Sequence, residues 1–321
     1  MSCTAIEDFL GRTLINETVT AKLNAAIKSD SSAQMTDALM TAADCISLDE
    51  CCQLLNNALD IVVRSGSVRL TQCLIDEGAE VSSLSMFAIK SQPSIPLFEA
   101  LLAAGYDFTK AGPKNCGMIK GRNMLHMVIQ EGHMVEWLLD HGTPVDLGEP
   151  IYAPRARPPP LLEYCACLGS VDTFKLLKTR GAKLTRRCLH VAVGEAASAG
   201  IDPFRTIQQQ PEGVEVKRDG SQRSYLNDRA EMLRYFVDEL HLDVNDLDSD
   251  NSQFEFWGTP LNYATRHGDS AVAVVKWLLA KGVDPTIPSV TGKRARDFTD
   301  EFHGSKILEV LENHRQDGIE L

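Results

Sequence analysis

The sequence predicts an all-α fold in which short pairs of helices stack side by side into a solenoid. Three observations favour this class. One order of segments recurs along the chain, each segment contains two short apolar stretches of helical length, and a glycine follows the second stretch. A pair of short amphipathic helices cannot bury an apolar face alone, so neighbouring pairs must stack. The glycine suits a helix C-terminus that requires positive φ.

The clearest repeat begins with Gly258-Thr259-Pro260-Leu261-Asn262-Tyr263-Ala264 and closes with Trp277-Leu278-Leu279-Ala280-Lys281-Gly282-Val283-Asp284. Thr259 can cap the first helix, and Pro260 is preset for its first turn. The order resembles the ankyrin repeat, which opens with Thr-Pro-Leu-His-x-Ala and closes with Leu-Leu-x-x-Gly-Ala-Asp. The resemblance implies an ankyrin-repeat solenoid of stacked helix-turn-helix units.

Similar segments predict about seven to eight such repeats with irregular spacing. The opening leucine or its equivalent falls at Leu23, Leu59, Met86, Leu125, Leu162, Leu189, Leu261 and Arg296. Two of the steps are 27 residues, against about 33 for the family, so β-hairpins should be short or missing. The step of 72 residues before Leu261 indicates an insertion inside one repeat.

These spacings predict the organisation of the chain. We expect an N-terminal capping segment at residues 1–20, the repeat array at 21–312 and a C-terminal tail at 313–321. The insertions should lie near residues 145–159 and 197–227.

Composition limits the classes of partner and the compartment. The 44 acidic and 32 basic residues give a net charge of −12, which disfavours nucleic acid and anionic membranes as the main partner. No stretch approaches the roughly 20 apolar residues of a membrane span, and no secretory signal is visible. The nine cysteines form no Cys-x-x-Cys pair and are expected to be reduced and mostly within apolar helical patterns. We therefore expect a cytoplasmic or nuclear protein.

No familiar catalytic motif is present, so the sequence favours a binding protein over an enzyme. We expect no cofactor and no metal. Cys165 and Cys167 point about 200° apart on a helix, which favours core packing over a shared metal. Asp246, Asp248 and Asp250 resemble the start of a calcium loop, but Trp257 stands where such a loop needs glutamate, and Asx-turns are the simpler interpretation.

Two irregular segments supply the candidate partner-binding residues. The first is either a proline-rich connector or a stiff basic recognition arm, and the second is an aromatic tip that either packs on the next repeat or forms a binding hot spot. The candidates are Tyr152, Arg155 and Arg157 in the first segment, and Phe254, Phe256 and Trp257 in the second.

The resemblance implies a protein–protein interaction module that binds another protein through its concave face and hairpin tips. It also implies that His126 and His190, at the histidine position of the opening, bond to neighbouring backbone. An alternative is a small-molecule-binding protein or unusual enzyme, with a pocket formed by the insertions between residues 145 and 257. The polar residues that could line such a groove are Glu163, Tyr164, His190 and Tyr263.

Overall fold

A computed structural model describes residues 17–110, 122–145, 160–204, 225–248, 257–301 and 304–317. These residues form helices and turns, and none of them lies in a β-strand. The chain divides into two compact units, Met1–Val128 with His133–Leu147, and Ile129–Gly132 with Gly148–Leu321. Within the described ranges, no helix is both long enough and apolar enough to cross a membrane.

The helices of unit 1 follow one another in pairs. They are α1 (Glu17–Ser29) and α2 (Ser32–Cys45), α3 (Leu48–Ser65) and α4 (Val68–Asp76), α5 (Met86–Ile89) and α6 (Ile95–Ala103), and α7 (Met124–Met127) and α8 (Gly132–Asp140, of which Gly132 is assigned to unit 2).

The helices of unit 2 follow the same order. They are α9 (Leu161–Leu168) and α10 (Val171–Thr179), α11 (Arg187–Ser198) and α12 (Tyr225–Arg234), α13 (Pro260–Thr265) and α14 (Val272–Ala280), and α15 (Ala295–Glu301) and α16 (Ser305–Asp317). A π-helical turn, Tyr235–Glu239, extends α12, and a 3₁₀ turn, Gly268–Ala271, precedes α14.

Within each unit the pairs stack in two layers. In unit 1 the first helices α3, α5 and α7 contact one another in order, and the second helices α2, α4 and α6 do the same. In unit 2 the first helices α9, α11, α13 and α15 form one row, while α10 packs on α12 and α14 packs on α16. Each pair thus buries the apolar faces of its neighbours, as the short helices require.

The opening leucines are buried, as the predicted register requires. All six are at most 1% exposed: Leu23, Leu59, Leu125, Leu162, Leu189 and Leu261. At the other two opening positions Met86 is buried, whereas Arg296 is exposed. The expected helix ends are also present. The Thr259 side chain accepts a hydrogen bond from the backbone N–H of Asn262, and Gly282 after α14 has φ 86°.

Candidate functional site

One face of unit 2 places three polar side chains at the same position of successive first helices. Glu163 lies on α9, His190 on α11 and Asn262 on α13, where the opening of an ankyrin repeat has histidine. They are 3%, 1% and 0% exposed. Buried polar groups need partners, so the contacts of these three side chains define what this face can do.

Glu163 is held by groups from the start of the next pair. The Thr185 hydroxyl donates to Glu163 Oε1 at 2.7 Å, and the Arg187 guanidinium lies 3.2 Å from Glu163 Oε2. Burial raises the pKa of Glu163, although Arg187 and Thr185 act in the opposite direction. Burial also acts to lower the pKa of Arg187, but Glu163 and Tyr263 outweigh it and the pKa lies above its ordinary value.

Tyr263 continues this cluster to a third pair of helices. Its hydroxyl donates to Asp248 Oδ2 at 2.8 Å and is also hydrogen-bonded with Arg187. The same oxygen of Asp248 accepts the backbone N–H of Trp257 at 2.9 Å. Burial raises the pKa of the Tyr263 phenol, so it is a neutral hydrogen-bonding group at neutral pH. Glu163, Arg187, Tyr263 and Asp248 thus form one connected chain of polar contacts.

His190 ties its helix to the connector that follows the next helix. Its Nε2 lies 2.9 Å from the backbone oxygen of Asp246, and its Nδ1 lies 3.1 Å from that of Arg186. Burial lowers the pKa of His190, which favours the neutral ring, and because a neutral ring has one N–H it donates to one of these two oxygens at a time. The expected bond to neighbouring backbone is therefore present at His190. At His126, Nδ1 lies 2.7 Å from the side-chain oxygen of Asn123.

The structure brings together three of the four predicted groove residues. Glu163 and Tyr263 are linked through Arg187, and the His190 ring meets the Tyr263 ring edge-on with centroids 5.3 Å apart. Tyr164 is half-buried on α9. Because the buried groups bond one another, their arrangement is that of a structural network between repeats.

Trp257 is the one predicted partner-binding residue within the described ranges. It is half-buried, with the Arg266 guanidinium 3.1 Å from its ring centroid and the Phe298 ring edge-on at 6.3 Å. Its carbonyl oxygen accepts from Asn262 Nδ2 at 2.9 Å. The other candidates, Tyr152, Arg155, Arg157, Phe254 and Phe256, lie outside the described residues.

The buried thiols of unit 2 have the properties of core side chains. Cys165 and Cys188 are fully buried, and burial raises the pKa of Cys188 to about 11 and that of Cys167 to about 12. A nucleophilic cysteine needs a lowered pKa. Not all cysteines fit the expected apolar surroundings, since Cys45 and Cys52 are exposed.

The aspartates that resembled a calcium loop are engaged by protein groups. Asp246 forms an ion pair with Arg186 at 3.7 Å, while Asp248 is 5% exposed and accepts from Tyr263 and Trp257. Asp250 lies outside the described residues. The described part of this loop therefore serves the packing between helix pairs.

Sequence reasoning missed Arg229, which is 1% exposed. From α12 its guanidinium donates to the backbone oxygens of Ala166, at 2.9 Å, and of Cys167 and Gly169. These oxygens lie at the C-terminal end of α9, where carbonyls lack helical partners and a cation is favoured. Nothing in the local sequence around Arg229 distinguishes it from a surface arginine.

Stacked pairs of short helices joined by a buried polar network define a helical repeat protein. Within it, residues 258–290 match the family model of the ankyrin repeat. The resemblance drawn from the opening and closing residues is thus confirmed for this stretch. A comparison with curated proteins finds no match to the chain.

Proposed function

We propose that the chain is a protein-interaction module built from divergent ankyrin-type repeats. The observation that carries this proposal is the ankyrin repeat at residues 258–290, seated in a row of first helices that continues through α9, α11 and α15. Ankyrin repeats are generally protein-interaction modules. The proposed array covers residues 21–312 with about seven to eight repeats, between a capping segment at 1–20 and a tail at 313–321.

The proposed binding surface is the concave face of the array and the tips of its connectors. Beyond the buried network, half-buried or exposed side chains lie on the first helices of unit 2 or directly after them. They include Tyr164, Glu195, Arg266 and His267. Tyrosine, tryptophan and arginine are the types that most often dominate binding energy. The proposed surface also includes Tyr152, Arg155, Arg157, Phe254, Phe256 and Trp257.

The alternative of a small-molecule pocket or an enzyme is not favoured. Glu163, His190 and Tyr263 are engaged with one another or with Arg187, Asp248 and backbone oxygens. A catalytic group needs to reach a substrate, whereas these side chains are at most 6% exposed.

Site-specific photo-crosslinking of the full chain tests the proposed surface. A benzoylphenylalanine placed at Glu195 or His267, on the first-helix side, should form adducts with a partner protein in cells. The matched positions are Lys178 on α10 and Lys276 on α14, two lysines of the second helices whose side chains are exposed to solvent.

The expected result is a discrete protein adduct from Glu195 and His267 that is weaker from Lys178 and Lys276. The purified partner should then bind the full chain, and excess partner should protect the first-helix positions from labelling. Equal adducts from all four positions, or adducts from the second-helix positions alone, would refute the assigned face. Absence of any protein adduct would refute the proposed function.

A further inference from the structure

The first helix α3 of unit 1 is much longer than the first helix that packs on it. With 18 residues α3 spans about 27 Å, whereas α5 has four residues. Two hydrogen bonds tie the start of the next pair to α3. The Glu80 N–H donates to Asn56 Oδ1 at 2.8 Å, and the Ser85 hydroxyl donates to Asp60 Oδ1 at 2.7 Å. The first two turns of α3 extend past both of these contacts.

The burial of one face of α3 changes along the helix. In the second half, Leu59 and Val62 are fully buried. Positions seven residues apart lie on the same side of a helix, so Leu48 and Leu55 are in line with Val62. Cys52 is likewise in line with Leu59. In the first half, however, Leu48 is 80% exposed, Cys52 is exposed and Leu55 is half-buried. The same apolar face therefore passes from core to surface.

We call Leu48, Cys51, Cys52 and Leu55 the α3 surface. Their spacing of i, i+3, i+4 and i+7 places them along one side of two helical turns. Single exposed apolar residues are common on proteins, whereas a row of them along a helix is the pattern by which one helix binds another. The α3 surface thus has the geometry to receive a second amphipathic helix.

The sequence around the α3 surface is acidic. Residues 29–63 include six Asp or Glu residues and no Lys or Arg. Among the acidic residues, Asp44, Asp49 and Glu50 are exposed. Hydrogen bonds from the Ser47 hydroxyl and N–H lower the pKa of Glu50, so this carboxylate is ionised at neutral pH. The apolar row is therefore accompanied by negative charge.

Neighbouring groups described in unit 1 do not reverse this charge. Glu80, whose backbone bonds to α3, is exposed and acidic. Lys22 of α1 reaches α2, where its ammonium lies 2.8 Å from Asp37 Oδ2. Arg64 lies at the opposite end of α3 and is paired with Asp60 at 2.7 Å. A segment that complements the α3 surface needs basic residues beside its own apolar row.

We propose that the α3 surface binds a basic amphipathic helix of a partner protein, with apolar side chains of that helix on Leu48 and Leu55 and its Lys or Arg residues beside Asp49. This inference rests on the proposed function and names the chemistry of the partner segment. Negative charge at the surface repels nucleic acid and anionic lipid, whereas a basic helix satisfies both the charge and the apolar row.

Fluorescence anisotropy with the full chain tests this chemistry. The probe is a labelled peptide of about 18 residues, long enough to form a helix, with Leu at i, i+3, i+4 and i+7 spacing among Ala and Lys. One matched peptide has the same residues in an order that disperses the Leu row, and another has Glu in place of each Lys. The Lys probe should bind at least about tenfold more tightly than either. Equal binding of the probe and either matched peptide, or no binding, would overturn the proposal.

Substitutions locate the bound peptide on α3. Leu48→Gln should weaken binding of the Lys probe about tenfold, and Asp49→Asn should weaken it about threefold. The matched controls are Leu102→Gln, at a leucine that is 39% exposed on α6, and Glu136→Gln, at an exposed carboxylate on α8. Neither control should change the affinity, and a control that weakens binding as much as its matched variant would overturn the proposal. Thermal unfolding shows whether each variant is folded, and Asp49→Asn provides the test if Leu48→Gln is not.

Thiol alkylation gives a second readout on the native chain. Saturating Lys probe should slow the reaction of exposed Cys52 with iodoacetamide several-fold, because the bound helix covers this side of α3. The rate at Cys73, which lies on α4, should not change. An unchanged rate at Cys52, read by peptide mass spectrometry, would place the probe elsewhere and overturn the proposal.

Crosslinking distinguishes the other possible occupants of this surface. A benzoylphenylalanine in place of Leu48 should form an adduct in cells with a partner segment that has a basic amphipathic pattern. An adduct between two copies of this chain, with residues 1–16 of the same chain, or with a segment lacking that pattern would overturn the proposal. If Glu195 and His267 yield protein adducts while the α3 surface does not bind the Lys probe, the inference fails and the proposed function stands.

Discussion

Replacing Arg229 with methionine should destabilise the protein by about 3 kcal/mol. The side chain is 1% exposed and donates to three backbone oxygens at the end of α9. Leaving a buried acceptor without its donor costs about 1–3 kcal/mol, so three acceptors correspond to about 3 kcal/mol at the lower end. The lower end is appropriate because methionine also removes the desolvation cost of the buried guanidinium and retains most of the side-chain volume.

The matched control for this prediction lies on the same helix. Arg234 at the end of α12 is half-buried, and its guanidinium donates to the backbone oxygen of Pro203 at 3.0 Å. Because water reaches this half-buried position and can solvate the groups that methionine leaves, Arg234→Met should cost less than Arg229→Met. Arg229→Lys should recover part of the loss, because an ammonium keeps the charge but lacks the planar fork that reaches several oxygens.

Urea unfolding followed by far-UV circular dichroism measures these differences in the free energy of unfolding. Hydrogen exchange followed by mass spectrometry shows which helices are destabilised. The backbone amides of α9 and α12 should exchange faster in Arg229→Met than in Arg234→Met. A loss below about 1 kcal/mol for Arg229→Met, or a loss no larger than that of Arg234→Met, would refute the reasoning.

Two further predictions concern titratable groups of unit 2. The raised pKa of Glu163 means that the folded protein binds its proton at a higher pH than the unfolded chain does. The free energy of unfolding of the native chain, relative to Glu163→Gln, should therefore decrease as pH rises from the ordinary value of 4.5 through the folded pKa and then level off. Urea midpoints of both proteins across this range measure it, and a relative stability that increases with pH would contradict the assignment. For the thiols, iodoacetamide should alkylate exposed Cys52 well before buried Cys188, whose pKa is raised to about 11, as read by peptide mass spectrometry. Similar alkylation rates of the two cysteines in the native protein would contradict the burial of Cys188. As a control, unfolding in urea should abolish the difference in rate that is due to folding.

The repeating features of the fold could be predicted because each depends on residues close together in sequence. Leucines of the first helices, the cap at Thr259 and the glycine at 282 follow from helical periodicity and helix-end geometry, and all have the expected burial or dihedral angles. The opening residues also identified Glu163, His190 and Tyr263 as polar groups of adjacent first helices. That these three side chains lie close to one another could also be predicted, because successive repeats place equivalent positions side by side.

The contacts that depend on irregular segments could not be derived in this way. Arg229 lies near the start of α12, after the segment that follows α11, and it bonds to oxygens about 60 residues earlier in the chain. The π-helical turn Tyr235–Glu239 likewise has no sequence signal, yet it places Tyr235 beneath the ammonium of Lys175, 4.6 Å from the ring centroid. A single sequence contains no information about which distant backbone groups such side chains meet.

Trp257 lies between an irregular connector and the regular repeat that begins at Gly258. The sequence left two interpretations open, packing on the next repeat or a binding hot spot, and the geometry makes them compatible. The ring packs against Phe298 of the next pair and carries Arg266, while remaining half-buried. Packing that fixes a side chain reduces the entropy lost when a partner binds it. A binding anchor in a repeat protein is therefore best sought among aromatic residues that are already half-buried against a neighbouring repeat.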